Sequence, residues 1–423
     1  MSDDDTTFIP PPLPILTQKQ QQDYDSLCIE MGLKADPRAQ RRPTEPPNKK
    51  ARANRSRYSA GPRSAWDRVM STAKYARRAV NPHLQLVSVM TRGAIKRWGA
   101  IHEEDNDANA LSAAETRQQN EQVKQFDKIL KNLRDLSTVF QYMYLESADD
   151  EKSAWITILT LMHKDAVQVR ANDTSRLKTK HEYFLPNDRT DVLYPPLRNA
   201  SIKTDRDLKH PMLRHLILPP HHRRNLPPLE FRQPDPNAPS PVLSSEGRLL
   251  MEMIASGSLL LTVNDFPSAF YEEGSFDPED EANGLFRGYL MERVMRHIWT
   301  SPDSAFVAFR KGLRKDCNAN LHRQYVVTPE MVGYVACQVR TMLSNEDWRE
   351  IDGEFDYEEL FKLVVQLLRP DEATPARVRQ WAEDTLNWFQ EKTFGNYSAD
   401  ETEDESTEDV PAVFTRILQQ RAD

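Results

Sequence analysis

Apolar residues recur at helical spacing in two parts of the chain, which are separated by a stretch rich in proline. From Trp66 to Ala73, apolar side chains stand at positions i, i+3, i+4 and i+7, the spacing of one face of an α-helix. Pro82 is expected to break this helix, because proline lacks the amide hydrogen that a helix interior needs. The apolar stretch from Leu84 to Trp98 then predicts a second helix.

A helical hairpin is predicted next along the chain. Ser112 and Glu115 have the spacing of a capping box, in which side chains at a helix start bond to free backbone amides. From Val123 to Tyr144 the apolar residues form a near-heptad stripe that is too short to require a coiled coil. We therefore expect this helix to pack against the next amphipathic stretch, over residues 151–170.

The C-terminal part of the chain carries signals for helix starts and ends. Gly257 is placed to end a helix, because glycine readily adopts the left-handed conformation found there. Thr328 followed by Pro329 predicts one helix start, and Asp356 with Glu359 predicts another. Strict alternation of apolar and polar residues nowhere persists for six positions, so a sheet has little support. The predicted fold class is all-α, with a helical hairpin region and a compact C-terminal multi-helix domain.

Composition divides the chain into five predicted regions. These are a disordered Pro/Gln-rich and basic arm over 1–62, a helical region over 63–182, a Pro-rich strap or linker over 183–243, a C-terminal helical domain over 244–397, and an acidic tail with a short terminal helix over 398–423. The arm is too polar to bury enough apolar surface to offset its ordering entropy. The apolar stretch from Met212 to Leu218 favours a strap lying on a helical surface over a free linker.

The formal net charge of −8 hides a strong segregation of charge. Residues 38–97 hold 16 Lys and Arg against two acids, and residues 398–409 hold seven acids and no base. Such segregation is typical of interaction arms rather than of a substrate pocket, with solvated linkers as the alternative. Two basic clusters across a short spacer are suited to a nuclear import receptor or to nucleic-acid phosphates. The residues of this predicted import signal or phosphate contact are Arg41, Arg42, Lys49, Lys50, Arg52, Arg55 and Arg57.

Cysteine content and hydropathy indicate the expected compartment. The three cysteines form no C-x-x-C pair, so neither a disulfide framework nor a structural zinc site is expected. No window reaches 18 apolar residues, and the acidic N-terminus does not resemble a secretory signal. We expect no membrane span and a nuclear location, with the cytoplasm as the alternative.

Motifs for nucleotide binding or nucleophilic catalysis are missing from the sequence. Neither G-x-x-x-x-G-K-[ST] nor G-x-G-x-x-G nor G-x-S-x-G occurs. Four histidines fall between His210 and His222 and are candidate metal ligands, but the Pro-rich context favours a structural role. His163 with Asp165 matches the H-x-D half of an iron site, yet the pair lies in a predicted helix rather than at a strand end.

Clustered acids are the remaining candidates for metal chemistry. Several carboxylates between Glu272 and Glu281 are hard ligands that Mg²⁺ prefers, as in a metal-dependent nuclease. Acids just before a helix near 284–299 are also explained by the positive end of the helix dipole. We therefore predict no catalytic, cofactor-binding or metal-binding residue and expect no cofactor.

Several short motifs of the chain carry a resemblance. They are His210–Leu213, Asp265–Tyr271, Phe276–Asp280, Gly284–Gly288, Arg296–Pro302, Thr328–Glu330, Gln338–Arg340, Asp352–Phe355, Trp388–Phe389 and Phe394–Asn396. They resemble motifs of a large uncharacterised protein family that is widespread in mushroom-forming fungi. Upstream, Ala171–Lys178 is similar to a segment that precedes this domain in the family. The resemblance covers about residues 115–397 and implies no activity, because the family has no established functional residues.

The sequence favours a non-enzymatic nuclear interaction module. In this hypothesis the helical domain binds a protein partner of unknown identity, and the basic arm contacts nucleic acid non-specifically or binds an import receptor. The alternative is a metal-dependent enzyme acting on nucleic acid. A purely structural helical protein is the third hypothesis, and a deep pocket or a large exposed apolar patch would argue against it.

Overall fold

A computed structural model describes residues 11–34, 63–99, 112–146, 153–185, 193–197, 205–227, 229, 242–307 and 317–395. The chain divides into two compact units, Met1–Asn172 and Asp173–Asp423. The seven basic residues of the predicted import signal and the acidic tail lie outside the described residues.

The first unit is built from helices. They are α1 (Gln18–Glu30), α2 (Ala65–Tyr75), α3 (Leu86–Trp98), α4 (Ala113–Leu133), α5 (Ser137–Glu146) and the first part of α6 (Ala154–Lys178). Aromatic side chains pack in the core of this unit. The ring of Trp155 lies 6.1 Å from Phe140 and 5.4 Å from Tyr144, both on α5, measured between ring centroids. This places an end of α6 against α5.

Helix α1 lies inside the segment that composition predicts to be disordered. The hydroxyl of Thr17 accepts the amide hydrogen of Gln20, and the side chain of Gln20 accepts the amide hydrogen of Thr17. Leu27 and Cys28 of this helix are buried. The prediction of disorder over 1–62 is therefore wrong for α1.

The breaks between helices of the first unit follow local chemistry. Helix α2 ends in a π-helical turn, Ala76–Val80, and the break expected at Pro82 is present. The carbonyl of Pro82 accepts hydrogen bonds from Arg77 at 2.7 Å and from Arg170 at 2.6 Å. The predicted single helix over 112–144 is divided into α4 and α5, because Arg134 adopts a φ of 56°.

The second unit contains the rest of α6 and further helices. They are α7 (Pro211–Ile217), α8 (Pro220–Arg223), α9 (Ser245–Ser256), α10 (Tyr289–Trp299), α11 (Asn318–His322), α12 (Pro329–Leu343), α13 (Tyr357–Leu367) and α14 (Ala376–Phe394). The described residues contain one small sheet, in which β1 (Ile351–Asp352) pairs antiparallel with β2 (Phe355–Asp356). The predicted all-α fold class is confirmed.

Most predicted helix ends of the second unit are confirmed to within a residue. The hydroxyl of Ser244 caps α9, and Gly257 ends this helix at a φ of 72°. Thr328 caps α12, and the carboxylate of Asp356 accepts two amide hydrogens at the start of α13. These caps satisfy backbone amides that have no partner inside the helix.

Helix α10 begins later than the sequence pattern predicts. Phe286 has a φ of 65°, which the α-helix does not allow, so the helix starts at Tyr289 rather than near residue 284. The side chain of Phe286 is nevertheless buried. Phe286 therefore contributes to the core from the loop before the helix.

Helix α12 is buried along nearly its whole length. Every residue from Glu330 to Leu343 is buried, including polar ones. The hydroxyl of Tyr334 donates to Asp173 at 2.9 Å, and the amide of Gln338 donates to the Tyr334 oxygen at 3.0 Å. The hydroxyl of Thr174 donates to the side-chain oxygen of Gln338 at 2.8 Å. These bonds satisfy polar atoms that would otherwise be costly to bury.

The Pro-rich region holds the apolar stretch singled out in the sequence, and part of this stretch forms α7. Met212, Leu213 and Leu216 are buried in the second unit. The carbonyl of Leu218, just after α7, accepts hydrogen bonds from the amide and the hydroxyl of Ser268, at 2.9 and 2.6 Å. These contacts fix α7 against the loop that precedes α10.

Candidate functional site

Helices α7 and α8 form one side of a cavity of about 550 Å³ in the second unit. The loop between α9 and α10 forms the other side. The cavity is within the size range of small-molecule binding sites, which is about 300–1,000 Å³. Its lining combines an apolar floor with charged side chains, so it is the best candidate for a functional site among the described residues.

Helix α7 is positioned by His210, which precedes it. The Nδ1 atom of His210 accepts the amide hydrogen of Leu213 at 3.4 Å, and Nε2 lies 2.8 Å from the carbonyl oxygen of Pro195. Pro211 occupies the first helical position, where its missing amide hydrogen costs nothing. This arrangement places the side chain of His215 in the cavity wall.

Helix α8 brings two arginines to the rim of the cavity. The backbone amides of Arg223 and Arg224 donate to the carbonyls of Pro219 and Pro220, at 2.9 and 3.1 Å. Both side chains line the cavity, with Arg223 half-buried and Arg224 exposed. Among the described residues, none forms a hydrogen bond or an ion pair with either guanidinium group. The rim therefore carries two positive charges without a neutralising partner in the described structure.

The loop before α10 contributes Tyr271 and the two acids that follow it to the lining of the cavity. Glu272 donates its amide hydrogen to the carbonyl of Gly284 at 2.9 Å, which closes the loop that carries these residues. The carboxylates of Glu272 and Glu273 are exposed at the rim. No hydrogen bond or ion pair within the described part of the chain engages either carboxylate.

Burial keeps the titratable groups of the cavity wall neutral. It lowers the pKa of His215 to about 4, and the charges of Arg223 and Arg214 add to this effect. The ring of His215 donates a hydrogen bond to the carbonyl of Pro227, which raises the pKa and partly offsets these effects. Burial also raises the pKa of Tyr271 to about 12 and raises the pKa of Tyr289. These side chains are uncharged at neutral pH, so the charged groups of the site are the arginines and glutamates at its rims.

The residues around this cavity fall within a segment that matches a known family model. Residues 164–394 match the family of unknown function DUF6698. The chain belongs to this family. No curated protein and no solved structure matches the chain.

The family domain contains the whole cavity, from Met212 on α7 to Tyr289 on α10. The resemblance to an uncharacterised family is thereby confirmed over the matched residues. None of the helices that the structure describes is long and apolar enough to cross a membrane.

The candidate metal ligands of the sequence do not converge. His210 and His215 bond to backbone groups, while the rings of His221 and His222 stack with centroids 4.3 Å apart. Within the described ranges, no group of three or more His, Cys, Asp or Glu residues is arranged to hold a metal ion.

The H-x-D pair lies on α6, as the sequence predicts. Asp165 forms an ion pair with Lys74 at 3.4 Å. Burial lowers the pKa of His163, with further lowering by Arg77 and Arg170. The carboxylate thus has a cation as its neighbour, and the surroundings of the imidazole are positively charged, which disfavours a bound cation.

The acids from Glu272 to Glu281 are spread over different environments. Asp280 forms an ion pair with Arg377 at 2.7 Å, and Asp277 accepts the amide hydrogen of Glu279 at 2.9 Å. Only Glu272 and Glu273 of this set line the cavity. The acidic run therefore supplies a loop and a rim rather than one cluster of ligands.

The two rim arginines and Tyr271 were not identified from the sequence. Arg223 and Arg224 lie about fifty positions from the acidic rim, so no local spacing connects them. The available signal was a dibasic pair directly after two histidines in a Pro-rich segment that also contains buried apolar residues.

Proposed function

We propose that the protein is a non-enzymatic interaction module with two binding surfaces. The family domain binds a ligand or partner through the cavity beside α8, and the basic residues between Arg41 and Arg57 bind phosphates or an import receptor. The observation that carries this proposal is the pair of rim arginines without ion-pair partners in the described structure, above an apolar floor. Charged groups that converge on an apolar pocket are typical of binding sites.

Two hydroxyl groups of the cavity wall form structural hydrogen bonds, which disfavours both as nucleophiles. General base or nucleophilic catalysis needs a side chain whose reactive atom is available to the substrate. The hydroxyl of Ser268 donates to the Leu218 carbonyl, and that of Tyr289 donates to the Phe184 carbonyl at 2.7 Å. Both hydroxyl hydrogens are thus committed to the backbone, where they hold the wall in place.

The nuclear part of the proposal is supported by the sequence. Segregated charge over residues 38–97, with 16 bases and two acids, attracts phosphates and import receptors. We also propose that the family is one found in mushroom-forming fungi, and the motif resemblance supports this. Nuclear location of a tagged full-length protein, lost when the seven basic residues are replaced, is the expected result.

Binding of generic duplex DNA tests the arm directly. The test variant replaces the seven predicted contact residues by Gln, rather than removing residues 1–62, because α1 packs within the first unit. We expect the full-length protein to lose about a thousandfold or more in affinity between about 50 and 200 mM salt, as counterions compete for phosphates. The seven-residue variant should lose most of both the affinity and the salt dependence.

Exposed arginines elsewhere provide the control for net charge. Replacing Arg248 and Arg379, which are exposed on the family domain, should leave the salt dependence unchanged. Equal affinity of the full-length protein and the seven-residue variant would contradict phosphate contact by the arm.

A metal-dependent enzyme acting on nucleic acid is the alternative function. It predicts cleavage of labelled DNA or RNA that requires added Mg²⁺ and disappears when Glu272 and Glu273 are replaced by Gln. Binding without cleavage, in the presence of Mg²⁺, supports the interaction module.

A further inference from the structure

The charges on the cavity rim indicate the chemical class of its ligand. Arg223 and Arg224 are adjacent in sequence, and both side chains line the same cavity. Neighbouring like charges repel each other, so a bound anion relieves this repulsion. Guanidinium groups present several N–H donors in a plane, which matches the paired oxygens of a carboxylate or a phosphate.

The floor of the cavity indicates the rest of the ligand. Met212, Leu216, Leu226 and Phe276 give the floor an apolar surface. Covering such a surface removes it from water, which favours binding in proportion to the area covered. A bare inorganic anion would leave this surface exposed, whereas an anion attached to an apolar body would cover it.

Tyr271 also lines the cavity and is buried in its wall. Its ring contacts Phe276, with ring centroids 5.3 Å apart. Among the described residues, none accepts or donates a hydrogen bond at its hydroxyl. Because this hydroxyl is protonated at neutral pH, it is available to donate a hydrogen bond to a bound oxygen.

We infer that the cavity binds an organic anion, which is a carboxylate or a phosphate monoester attached to an aromatic or aliphatic body. The anionic group lies against Arg223 and Arg224, and the apolar body covers the floor, where the hydroxyl of Tyr271 is available to a polar atom of the ligand. Glu272 and Glu273 repel anions at the other rim, so the ligand carries its charge at one end. This inference deepens the proposed binding function and rests on it.

Fluorescence titration of the full-length protein with 1-anilinonaphthalene-8-sulfonate tests the inference. This probe is an aromatic anion whose emission rises in apolar surroundings. We expect saturable binding that 4-phenylbutyrate or phenyl phosphate displaces and that neutral benzyl alcohol does not. Whichever of the two anions displaces the probe at lower concentration identifies the carboxylate or the phosphate as the preferred group.

Variants at the two rims make the test specific to this cavity. Replacing Arg223 and Arg224 by Gln should weaken probe binding about tenfold or more, because charge-assisted hydrogen bonds are lost. The matched control, Arg248→Gln with Arg379→Gln, removes the same charge from exposed positions elsewhere and should bind like the unchanged protein. Replacing Glu272 and Glu273 by Gln should tighten binding, because repulsion of the anion is removed.

Three outcomes would overturn the inference. They are displacement by benzyl alcohol as effective as by the anions, equal weakening in the rim variant and in the control, and weaker binding after replacement of the two glutamates. Thermal unfolding of each variant confirms that it is folded before its binding is compared. The arm's contact with DNA is measured separately, so failure of the cavity and failure of the arm give different results.

Discussion

His215 and His297 are buried histidines of the second unit, and burial lowers the pKa of each to about 4. Their ordinary pKa is 6.5, so below that pH the unfolded chain binds protons that the folded chain does not. We expect the free energy of unfolding to fall as the pH drops from 6.5 towards 4. The loss should be on the order of 2–3 kcal/mol for each histidine.

Urea unfolding at about pH 7 and about pH 5 measures this dependence. His215→Gln and His297→Gln should each flatten it, because the group that titrates is removed. Ser245→Ala, which removes no titrating group from an exposed position, is the control and should leave the dependence unchanged. An unchanged pH dependence in both buried variants would show that other groups are responsible.

Residue-level inference from the sequence succeeded where the cause is local. The Ser112 and Glu115 box is present because its hydrogen bonds join residues three positions apart. The cavity rims join Arg223 to Glu273 across fifty positions, and only the tertiary fold brings them to one site. Spacing along the chain carries no information about such a pair.

At the scale of elements, the start of α10 depends on Gly288. A Cβ atom at this position would overlap the carbonyl oxygen of Ala269 and crowd that of Tyr271, and backbone cannot move aside as a flexible side chain can. The φ of Gly288 is −61°, so the cost of Gly288→Ala is steric rather than conformational. We expect the free energy of unfolding to fall by about 1–3 kcal/mol.

Chemical denaturation of Gly288→Ala checks this value. Ser245→Ala, at an exposed position in the first turn of α9, should change stability by less than about 0.5 kcal/mol. Without the overlap, alanine would instead stabilise the protein slightly by restricting the unfolded chain. A stabilised Gly288→Ala variant would therefore mean that this loop can shift.

Elements were predicted from sequence best where apolar periodicity and a cap agreed. Helix α1 was missed because its Gln-rich composition outweighed two signals that were present, the Thr17 to Gln20 spacing and the apolar pair Leu27 and Cys28. The division between α4 and α5 was missed for another reason. Arg134 adopts a positive φ, and no glycine or proline at this point of the sequence indicates a break in the helix.

At the scale of the whole molecule, the two charged arms are expected to compete. The seven acids of residues 398–409 repel DNA phosphates and attract the basic arm. Deleting residues 398–409 should therefore raise the affinity for generic duplex DNA several-fold at about 50 mM salt. The gain should vanish near 1 M salt, where the screening length falls to about 3 Å.

Two sequence controls separate charge from length. Replacing the seven acids by Asn and Gln should raise the affinity as the deletion does, whereas shuffling the order of residues 398–409 should leave it unchanged. If shuffling raised the affinity as much as the deletion does, a specific contact rather than charge would be responsible.

The complete enclosure of α12 has a consequence for how the second unit opens. No face of this helix meets water, so its amide hydrogens exchange with solvent only when the surrounding helices separate. Its polar side chains form hydrogen bonds with Asp173 and Thr174, which requires the end of α6 to be in place. Helix α12 therefore belongs to the most slowly exchanging part of the second unit. Its amides become exposed to solvent only when the unit as a whole unfolds.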